Sequence, residues 1–368
     1  MVLQNFSAND FLANYWQQKH LLIKKALPGY KPPLDANDLA GLSLEDDAES
    51  RIIIEHENDQ WEVQYGPFAE DHYQSLPSKN WTLLVQAVDH WLLEVNDLKL
   101  LFRFIPDWRL DDIMISYAPK GGGVGPHYDL YDVFLLQASG QRRWKIGQQC
   151  DSSTPLSANT EIRQLAQFEE QEDYLLNPGD ILYVPPGCAH WGTSESDDCM
   201  TISIGFRAPS HEQIIAQLCD DVASLQAEES RFSDKQRELV KHPARIDDDA
   251  IKQVHTLIKQ LLLKDEALAT SFGRLMTQVK YPETFSSSEC ESSVLSKRPD
   301  ARLAYYLTNK DILLFANGEC IHCPLDDELF IQYLADSEQI DCEELTPAQQ
   351  VLIEQLIAFG IYEDAEEE

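Results

Sequence analysis

Two histidines and one aspartate in this sequence have the types and spacing of metal ligands: His127, Asp129 and His190. In an extended strand, residues i and i+2 project to the same face, so His127 and Asp129 would lie side by side while Tyr128 points the other way. His190 supplies a second imidazole. Two neutral imidazoles and one carboxylate leave positions open on a divalent iron, which is the ligand set of non-haem oxygenases. The pattern therefore predicts a metal site that also has room for a cosubstrate and dioxygen.

The context of His190 supports this prediction, because an isolated H-x-D pattern also occurs by chance in half-buried strands. His190 follows the turn Pro185-Pro186-Gly187, which comes directly after the apolar run Ile181–Val184. A rigid turn of this kind would hold a third ligand in a fixed position on a separate strand. The alternative is a loop histidine that is hydrogen-bonded to the backbone.

Arg142 is the candidate for binding an anion. On a predicted strand over 142–146 it would share the apolar inner face with Trp144, whereas Arg143 would face solvent. A buried guanidinium needs a partner, and its planar fork suits a carboxylate, so Arg142 could bind the far carboxylate of a dicarboxylate cosubstrate. Ser116 could add a hydroxyl to the same carboxylate. The alternatives are a structural ion pair for Arg142 and a backbone hydrogen bond for Ser116.

The charge of the chain favours a basic partner over nucleic acid. The 63 acidic residues outnumber the 29 basic ones, which gives a formal charge of −34. Proteins that bind phosphates unaided use clustered lysine and arginine, so we expect no direct contact with nucleic acid. The same charge could instead serve solubility alone. The sequence contains no apolar run of membrane-spanning length and no signal at its start, so we predict a cytoplasmic protein without membrane contact.

The eight cysteines are too sparse for a disulfide framework in a chain of 368 residues, and we predict reduced thiols. Cys320 and Cys323 form a C-x-x-C pair, but no second pair lies nearby to complete four zinc ligands. A hairpin with incidental thiols is the preferred interpretation.

The hydrophobic patterns predict three domains. Five short β-rich runs between residues 112 and 208, without regular helices between them, are typical of a double-sheet jelly roll. A lead-in precedes them, and its apolar run Trp81–Trp91 has helical spacing. We therefore place a mainly β catalytic core with helical N-terminal elements at residues 1–208.

Residues 209–285 are predicted to be helical, because apolar stripes recur there at helical spacing. Their apolar faces could close on each other or on a second copy of the chain. Residues 286–368 form a small mixed unit, in which we predict a hairpin around Asn317-Gly318, a helix from Thr346 to Phe359, and a disordered acidic tail.

Three stretches of the sequence resemble a known family: DDIMISYAPKGGGVGPHYDLYDVFLLQASGQRRWKIG, NPGDILYVPPGCAH and ISIGFRAP. They are similar to the JmjC-type 2-oxoglutarate oxygenases of the ribosomal-oxygenase branch, specifically the bacterial YcfD-like arginine hydroxylases. The resemblance implies a cupin-type double-stranded β-helix, a helical dimerisation domain and a winged-helix-like C-terminal domain. It also implies Fe(II) bound by His127, Asp129 and His190, and 2-oxoglutarate held by Arg142 and Ser116.

The resemblance further implies a function. We expect a homodimeric enzyme that hydroxylates an arginine on the sixteenth protein of the large ribosomal subunit and releases succinate and CO2. Tyr117, Tyr131 and Asp132, near the predicted metal strand, are the candidates for contacting that substrate. One alternative is the same chemistry on a histidine or another basic protein. The other is a catalytically idle cupin that serves as a binding module, which would have no need to keep all the metal and cosubstrate residues.

Overall fold

The computed structural model describes residues 1–57, 60–157, 162–235, 239, 241–281, 292–343 and 345–365. The chain divides into two compact units, Met1–Ala208 and Pro209–Glu368. The predicted boundary between residues 285 and 286 falls outside the described residues, so the division into three domains stays a prediction. No described helix has the length and apolar character needed to cross a bilayer.

The first unit consists mainly of strands. Its sheet order is β1-β9-β6-β11-β5-β4-β2-β3 in one sheet of eight strands and β10-β7-β8 in a second sheet of three. The strands are β1 (Leu21–Ile23), β2 (Ser50–His56), β3 (Gln60–Tyr65), β4 (Trp81–Val85), β5 (Leu110–Ala118), β6 (Val133–Ser139), β7 (Arg142–Gln149), β8 (Glu172–Leu176), β9 (Ile181–Val184), β10 (Cys188–Ser194) and β11 (Cys199–Phe206). The short helices are α1 (Ala8–Asn14), α2 (Ala36–Leu42), α3 (His72–Ser75) and α4 (Leu93–Asn96).

The two faces of the large sheet bury different cores, because successive side chains of a strand point to opposite faces. On β6, Phe134 packs into a large aromatic cluster that includes Phe11 from α1. Its neighbour Leu135 packs instead into a smaller inner core that also contains Trp144 of β7 and Leu182 of β9. The inner core lies between the two sheets, which confirms the predicted jelly-roll architecture.

The run Trp81–Trp91 was predicted to be helical, and this prediction was wrong. Trp81–Val85 is the strand β4, and only a short 3₁₀ turn follows at Val88–His90. Short apolar runs fit both periods, and long-range pairing decides between them. Here β4 pairs antiparallel with β2 on one side and β5 on the other, which buries the run as a central strand.

The second unit combines helices with two small sheets. Its helices are α5 (His211–Ser224), α6 (Asp248–Leu262), α7 (Asp265–Thr277), α8 (Glu328–Asp336) and α9 (Pro347–Ala358). Its strands are β12 (Val294–Lys297), β13 (Leu303–Leu307), β14 (Ile312–Ala316), β15 (Glu319–Cys323), β16 (Gln339–Asp341) and β17 (Tyr362–Asp364). They form the three-stranded sheets β16-β12-β17 and β13-β14-β15.

The local signals in the second unit give the predicted elements. Asn317 and Gly318 both have positive φ, 48° and 88°, and they form the two-residue turn between β14 and β15. The side chain of Thr346 caps α9, with Gln349 as its capping-box partner. The two predicted apolar stripes become α5 and α6. Residues 366–368 of the acidic tail lie outside the described residues.

Candidate active site

The first two candidate metal ligands come from an extended segment between β5 and β6, and the third comes from β10. His127 forms an isolated antiparallel bridge with His190, so the predicted regular strand around His127 is wrong. The regular pairing ends after this bridge. The carbonyl of Asp129 accepts a hydrogen bond from the amide of Gly187, in the turn before β10, and not from that of Cys188 as a regular register would require. Side-chain alternation nevertheless holds, since Tyr128 points away and donates its hydroxyl to the carbonyl of Asp151.

The three candidate ligand side chains converge. One ligand atom from each of His127, Asp129 and His190 lies within 4.8 Å of the others. His190 Nε2 lies 3.6 Å from Asp129 Oδ2, and the two imidazole centres are 4.2 Å apart. Ligands at about 2.1 Å from one ion lie roughly 3 Å apart, so small side-chain adjustments suffice to hold a divalent metal. Among the described residues this is the one cluster with such geometry, and Cys320 and Cys323 are not part of it.

Both imidazoles are anchored in the same way. His127 Nδ1 lies 2.9 Å from the carbonyl oxygen of Gly125, and His190 Nδ1 lies 3.0 Å from that of Cys188. A carbonyl oxygen only accepts, so each Nδ1 carries the proton and each Nε2 keeps a lone pair. This is the orientation that a metal-binding histidine requires.

Burial keeps the His190 ring neutral. The side chain is almost fully buried, and this burial lowers the pKa of His190 to about 4, with a smaller lowering by His127. The carboxylate of Asp129 acts in the opposite direction. A histidine with a pKa well below its usual value is an unprotonated imidazole at neutral pH, and it can therefore bind a metal without first losing a proton.

Arg142 lies on the inner face of β7, as predicted, and it is only 3% exposed. Its Nε donates to the sulfur of Cys199 at 3.4 Å, and its buried Nη2 has no hydrogen-bond partner within the described part of the chain. Among the residues that the structure describes, no carboxylate pairs with it, which removes the structural ion pair as an explanation. A neutral sulfur does not balance the charge of the guanidinium, so this side chain is suited to bind an anionic ligand.

Ser116 faces the same interior, because it lies on the inward side of β5 and is 4% exposed. Its hydroxyl makes a long contact of 3.5 Å with the carbonyl of Thr201 on β11. A bond of that length is weak, and the hydroxyl can turn toward a better acceptor. The two roles considered for Ser116, a hydrogen bond to the backbone and a hydrogen bond to the cosubstrate, are therefore compatible.

Tyr131 is the predicted substrate residue whose phenol is affected by the charge of a candidate ligand. The charge of Asp129 is the main cause that raises the pKa of the Tyr131 phenol far above its usual range, and the charge of Asp112 adds to it, while 44% of the Tyr131 surface is exposed. Asp112 is a residue that the sequence interpretation missed. It lies on β5, four residues before Ser116, and the period of two places both side chains on the inner face.

Tyr117 and Asp132 are not brought to this cluster. Tyr117 lies on the outer face of β5, where its ring packs at 5.8 Å from that of Trp81. The carboxylate of Asp132 is fully buried, and both of its oxygens have partners. These partners are the Tyr183 hydroxyl at 2.6 Å, the Gln17 side-chain amide at 2.9 Å and the Arg109 guanidinium at 3.2 Å.

The comparison with known families matches both units. A JmjC domain model matches residues 97–214, which include the candidate ligands and most of the inner core. A ROXA-like winged-helix model matches residues 255–365. The chain is 36% identical over 272 residues to the ribosomal protein uL16 3-hydroxylase of Escherichia coli, which covers 74% of this chain and 72% of that protein. The chain belongs to the ribosomal oxygenases.

Further relatives of this ribosomal oxygenase are similar over almost their whole length. A probable ribosomal oxygenase of Haemophilus influenzae is 34% identical over 359 residues, which cover 92% of this chain and 88% of the relative. The X-ray structure of E. coli YcfD superposes with a TM-score of 0.86 at 31% identity and covers 98% of this chain and 99% of that one. Another YcfD structure, in complex with cobalt and 2-oxoglutarate, gives a TM-score of 0.84 at the same identity over 97% of this chain and 98% of that one.

The ribosomal oxygenase carries one more buried donor beside Arg142, which the sequence interpretation treated only as an apolar neighbour. Trp144 lies two residues further along β7 and is 5% exposed, and none of the described residues forms a hydrogen bond with its Nε1. Its ring lies within 5.7 Å of the His190 ring, measured between ring centres. The barrel interior, the space between the two sheets of the first unit, therefore holds two donors, Arg142 Nη2 and Trp144 Nε1, that no described residue satisfies.

Proposed function

We propose that this ribosomal oxygenase is an Fe(II)- and 2-oxoglutarate-dependent dioxygenase that hydroxylates an arginine side chain of the large-subunit ribosomal protein uL16. One oxygen atom of O2 would enter the arginine as a hydroxyl group. The other would enter succinate as 2-oxoglutarate loses CO2. The observation that carries the proposal is the convergence of His127, Asp129 and His190 in a barrel that also buries the Arg142 guanidinium without a carboxylate partner among the described residues.

The donor set of the three residues fits ferrous iron. Two neutral imidazoles and a carboxylate on one side of an ion form the facial triad of non-haem iron oxygenases. The cobalt in the YcfD complex supports a divalent first-row metal in this fold. When bound, iron would supply the coupling between decarboxylation of the oxo-acid and insertion of oxygen into a C–H bond. The chain contributes fixed ligands, because the Gly125 and Cys188 carbonyls hold the two imidazoles.

Arg142 and Ser116 would hold the cosubstrate. The far carboxylate of 2-oxoglutarate would pair with the Arg142 guanidinium and accept the Ser116 hydroxyl, while its oxo-acid end turns toward the metal ligands. A charge-assisted bond of this kind satisfies the Nη2 atom that has no partner. The 2-oxoglutarate in the YcfD complex supports this assignment.

The substrate arginine would bind near Tyr131. The charge of Asp112 contributes to the raised pKa of the Tyr131 phenol, and because Asp129 would be engaged by the metal, Asp112 is the acidic group that would attract a guanidinium. The formal charge of −34 suits a basic ribosomal client. In this proposal Tyr131 and Asp112 replace Asp132, whose carboxylate already serves a buried network, and Tyr117, which lies on the outer face of the sheet.

A histidine target is the second candidate. A relative that matches over a shorter stretch, a bifunctional lysine-specific demethylase and histidyl-hydroxylase NO66 of Drosophila persimilis, is 31% identical over 112 residues, which cover 30% of this chain and 16% of that protein. The uL16 3-hydroxylase matches 74% of the chain, which favours uL16 as the client. A catalytically idle binding module is disfavoured. Burial of the Arg142 guanidinium without an anionic ligand costs free energy, and a module that does not bind 2-oxoglutarate would have no ligand to offset that cost.

We further propose that the enzyme is a homodimer joined through α6 and that it works in the cytoplasm, where ribosomal proteins are made. The apolar residues of α6 recur at helical spacing and remain exposed in the single chain: Ile251 is 58% exposed and Ile258 is 47% exposed. None of the residues of α6 is buried. An amphipathic helix with an open apolar face gains stability when a second copy covers it.

The decisive experiment is an aerobic incubation of the protein with Fe(II), 2-oxoglutarate and a uL16 peptide. Mass spectrometry should show one added oxygen on an arginine, and succinate should form in equal amount. Matched reactions would use peptides in which the modified arginine is replaced by lysine or by histidine. Oxidation of a histidine instead would favour the second candidate, and succinate absent from every reaction would overturn the proposed chemistry.

A further inference from the structure

We propose that Trp144 donates its indole N–H to the far carboxylate of 2-oxoglutarate, beside the guanidinium of Arg142. The inference rests on the proposed function and adds a positioning residue to it. Its starting point is that the barrel interior buries two donors, Trp144 Nε1 and Arg142 Nη2, that have no hydrogen-bond partner among the residues the structure describes. Buried polar groups in folded proteins are nearly always hydrogen-bonded, so two such donors on one strand face point to a shared acceptor.

The indole ring is held in place by the strand opposite. Trp144 pairs with Gly192 of β10 in the antiparallel register. A Cβ atom at Gly192 would lie 2.6 Å from the ring carbons Cζ3 and Cη2 and 2.9 Å from Cε3, so only glycine allows this contact. These carbons form the edge of the indole remote from Nε1. The contact therefore turns the N–H edge away from β10 and fixes the ring before any ligand binds.

The Trp144 ring lies close to both groups that would hold the ends of the cosubstrate. Its centre is 5.7 Å from that of the His190 ring and 5.8 Å from Cζ of Arg142. A five-carbon oxo-diacid that reaches from the metal ligands to the guanidinium would pass along Trp144. The residue thus lies where it can contact the bound molecule.

The far carboxylate is the acceptor that fits both donors. A carboxylate offers two oxygens and about four acceptor positions, so it can take bonds from a guanidinium and an indole together. Arg142 and Trp144 are two residues apart on β7, and both point inward. Hydrogen bonds to an ionised carboxylate are the strong class, which gives the indole a measurable share in binding.

The test compares ligand binding to the Trp144→Phe variant and the unaltered protein. Calorimetry with Mn(II)-loaded protein under nitrogen measures 2-oxoglutarate binding without turnover. Loss of one hydrogen bond to a charged group should weaken binding by about tenfold or more. The penalty should disappear with 2-oxobutyrate, which lacks the far carboxylate. Trp191→Phe is the matched control, because Trp191 lies on β10 and the centre of its ring is 6.1 Å from that of Phe168. The Trp191→Phe variant should bind both acids with unchanged affinity.

A second variant separates the lost donor from the lost ring volume. Replacement of Trp144 by β-(3-benzothienyl)alanine exchanges the N–H for sulfur and keeps the bicyclic shape, so it remains informative where the phenylalanine variant does not fold. It should show the same loss for 2-oxoglutarate. Unchanged 2-oxoglutarate affinity in the sulfur variant, or an equal penalty for 2-oxobutyrate, would overturn the inference. If the unaltered protein did not bind 2-oxoglutarate, the proposed function would fail, and the inference with it.

Discussion

His127 and His190 fix each other through their backbones. The amide of His127 donates to the carbonyl of His190 at 3.0 Å, and the reverse bond is 2.8 Å. The two rings therefore start from a hydrogen-bonded strand pair, and the carbonyls of Gly125 and Cys188 then set their rotation. A site built in this way would hold its geometry before a metal binds.

Removal of a candidate ligand should therefore weaken metal binding strongly but leave the fold intact. We expect Asp129→Ala or His190→Ala to lower the affinity for Fe(II) by about 100-fold or more, since even outer partners of metal ligands contribute 10–100-fold. Competition with a chelator measures the affinity, and circular dichroism checks the fold. Full metal binding by either variant would contradict the ligand assignment.

Arg142 and Arg143 form a matched pair for testing cosubstrate binding. Arg142→Gln should raise the KM for 2-oxoglutarate by about 100-fold, because it removes a charge-assisted pair from a buried site. Arg143→Gln should have little effect. Arg143 faces solvent on the opposite side of β7, where it pairs with Glu195 and Asp173, and exposed pairs contribute little. Equal effects of the two variants would show that Arg142 acts only through overall charge.

Asp132 should prove to be a stability residue. Asp132→Ala would remove a fully buried carboxylate and leave the half-buried Arg109 guanidinium and the Tyr183 hydroxyl without their acceptor, and breaking a buried pair costs about 3–5 kcal/mol. Urea unfolding of the variant measures this loss. Asp129→Ala, which removes a carboxylate three residues away, should lose far less. A stable Asp132→Ala variant with a raised KM for the peptide would instead restore the substrate role.

The C-x-x-C pair should resist alkylation. Burial raises the pKa of Cys320 and of Cys323 to about 11. Because a raised pKa keeps a thiol protonated to higher pH, the reactive thiolate forms only as the pH approaches 11. We expect iodoacetamide at pH 8 to label the exposed Cys219 first, and labelling of the pair to rise about tenfold per pH unit toward pH 10. Mass spectrometry of the peptides follows each site, and rapid labelling of the pair at pH 8 would contradict the prediction.

The α6 surface makes a prediction about oligomeric state. Ile258→Asp places a charge in the exposed apolar face, and it should convert a dimer into a monomer because burying an unpaired carboxylate is costly. Light scattering after size-exclusion chromatography measures the mass. Gln260→Asp, which adds the same charge to the polar side of the helix, should leave the dimer intact. A monomer before any substitution would refute the dimer proposal.

The inner face of the barrel was predictable where apolar and charged residues alternate along a single strand. The alternation of Arg142 and Trp144 with Arg143 separates the two sides of β7 without any knowledge of its neighbours. The run from Trp81 to Val85 has no such contrast, because sheet on both sides buries it, and its apolar residues fit a helix equally well. Periodicity was therefore a sufficient guide only for strands with one polar face.

Residues that meet through pairing between strands were beyond such reasoning. Asp112 comes close enough to act on Tyr131 only after β5 has joined the sheet. Gly192 contacts the Trp144 ring only because of the register in which β10 pairs with β7. Asp132 shows the converse. Its position beside the metal segment suggested a substrate contact, but its partners come from distant parts of the chain, Gln17 and Tyr183.

The small strand β1 has a practical consequence for anyone who trims this protein. It covers β9 at one end of the large sheet, while β4 covers β5 on the other side. A fragment cut to the 97–214 match would lose both covers and present two bare strand edges, which recruit strands from other molecules. Such a fragment should aggregate when it is expressed, so a minimal catalytic fragment has to begin upstream of Leu21.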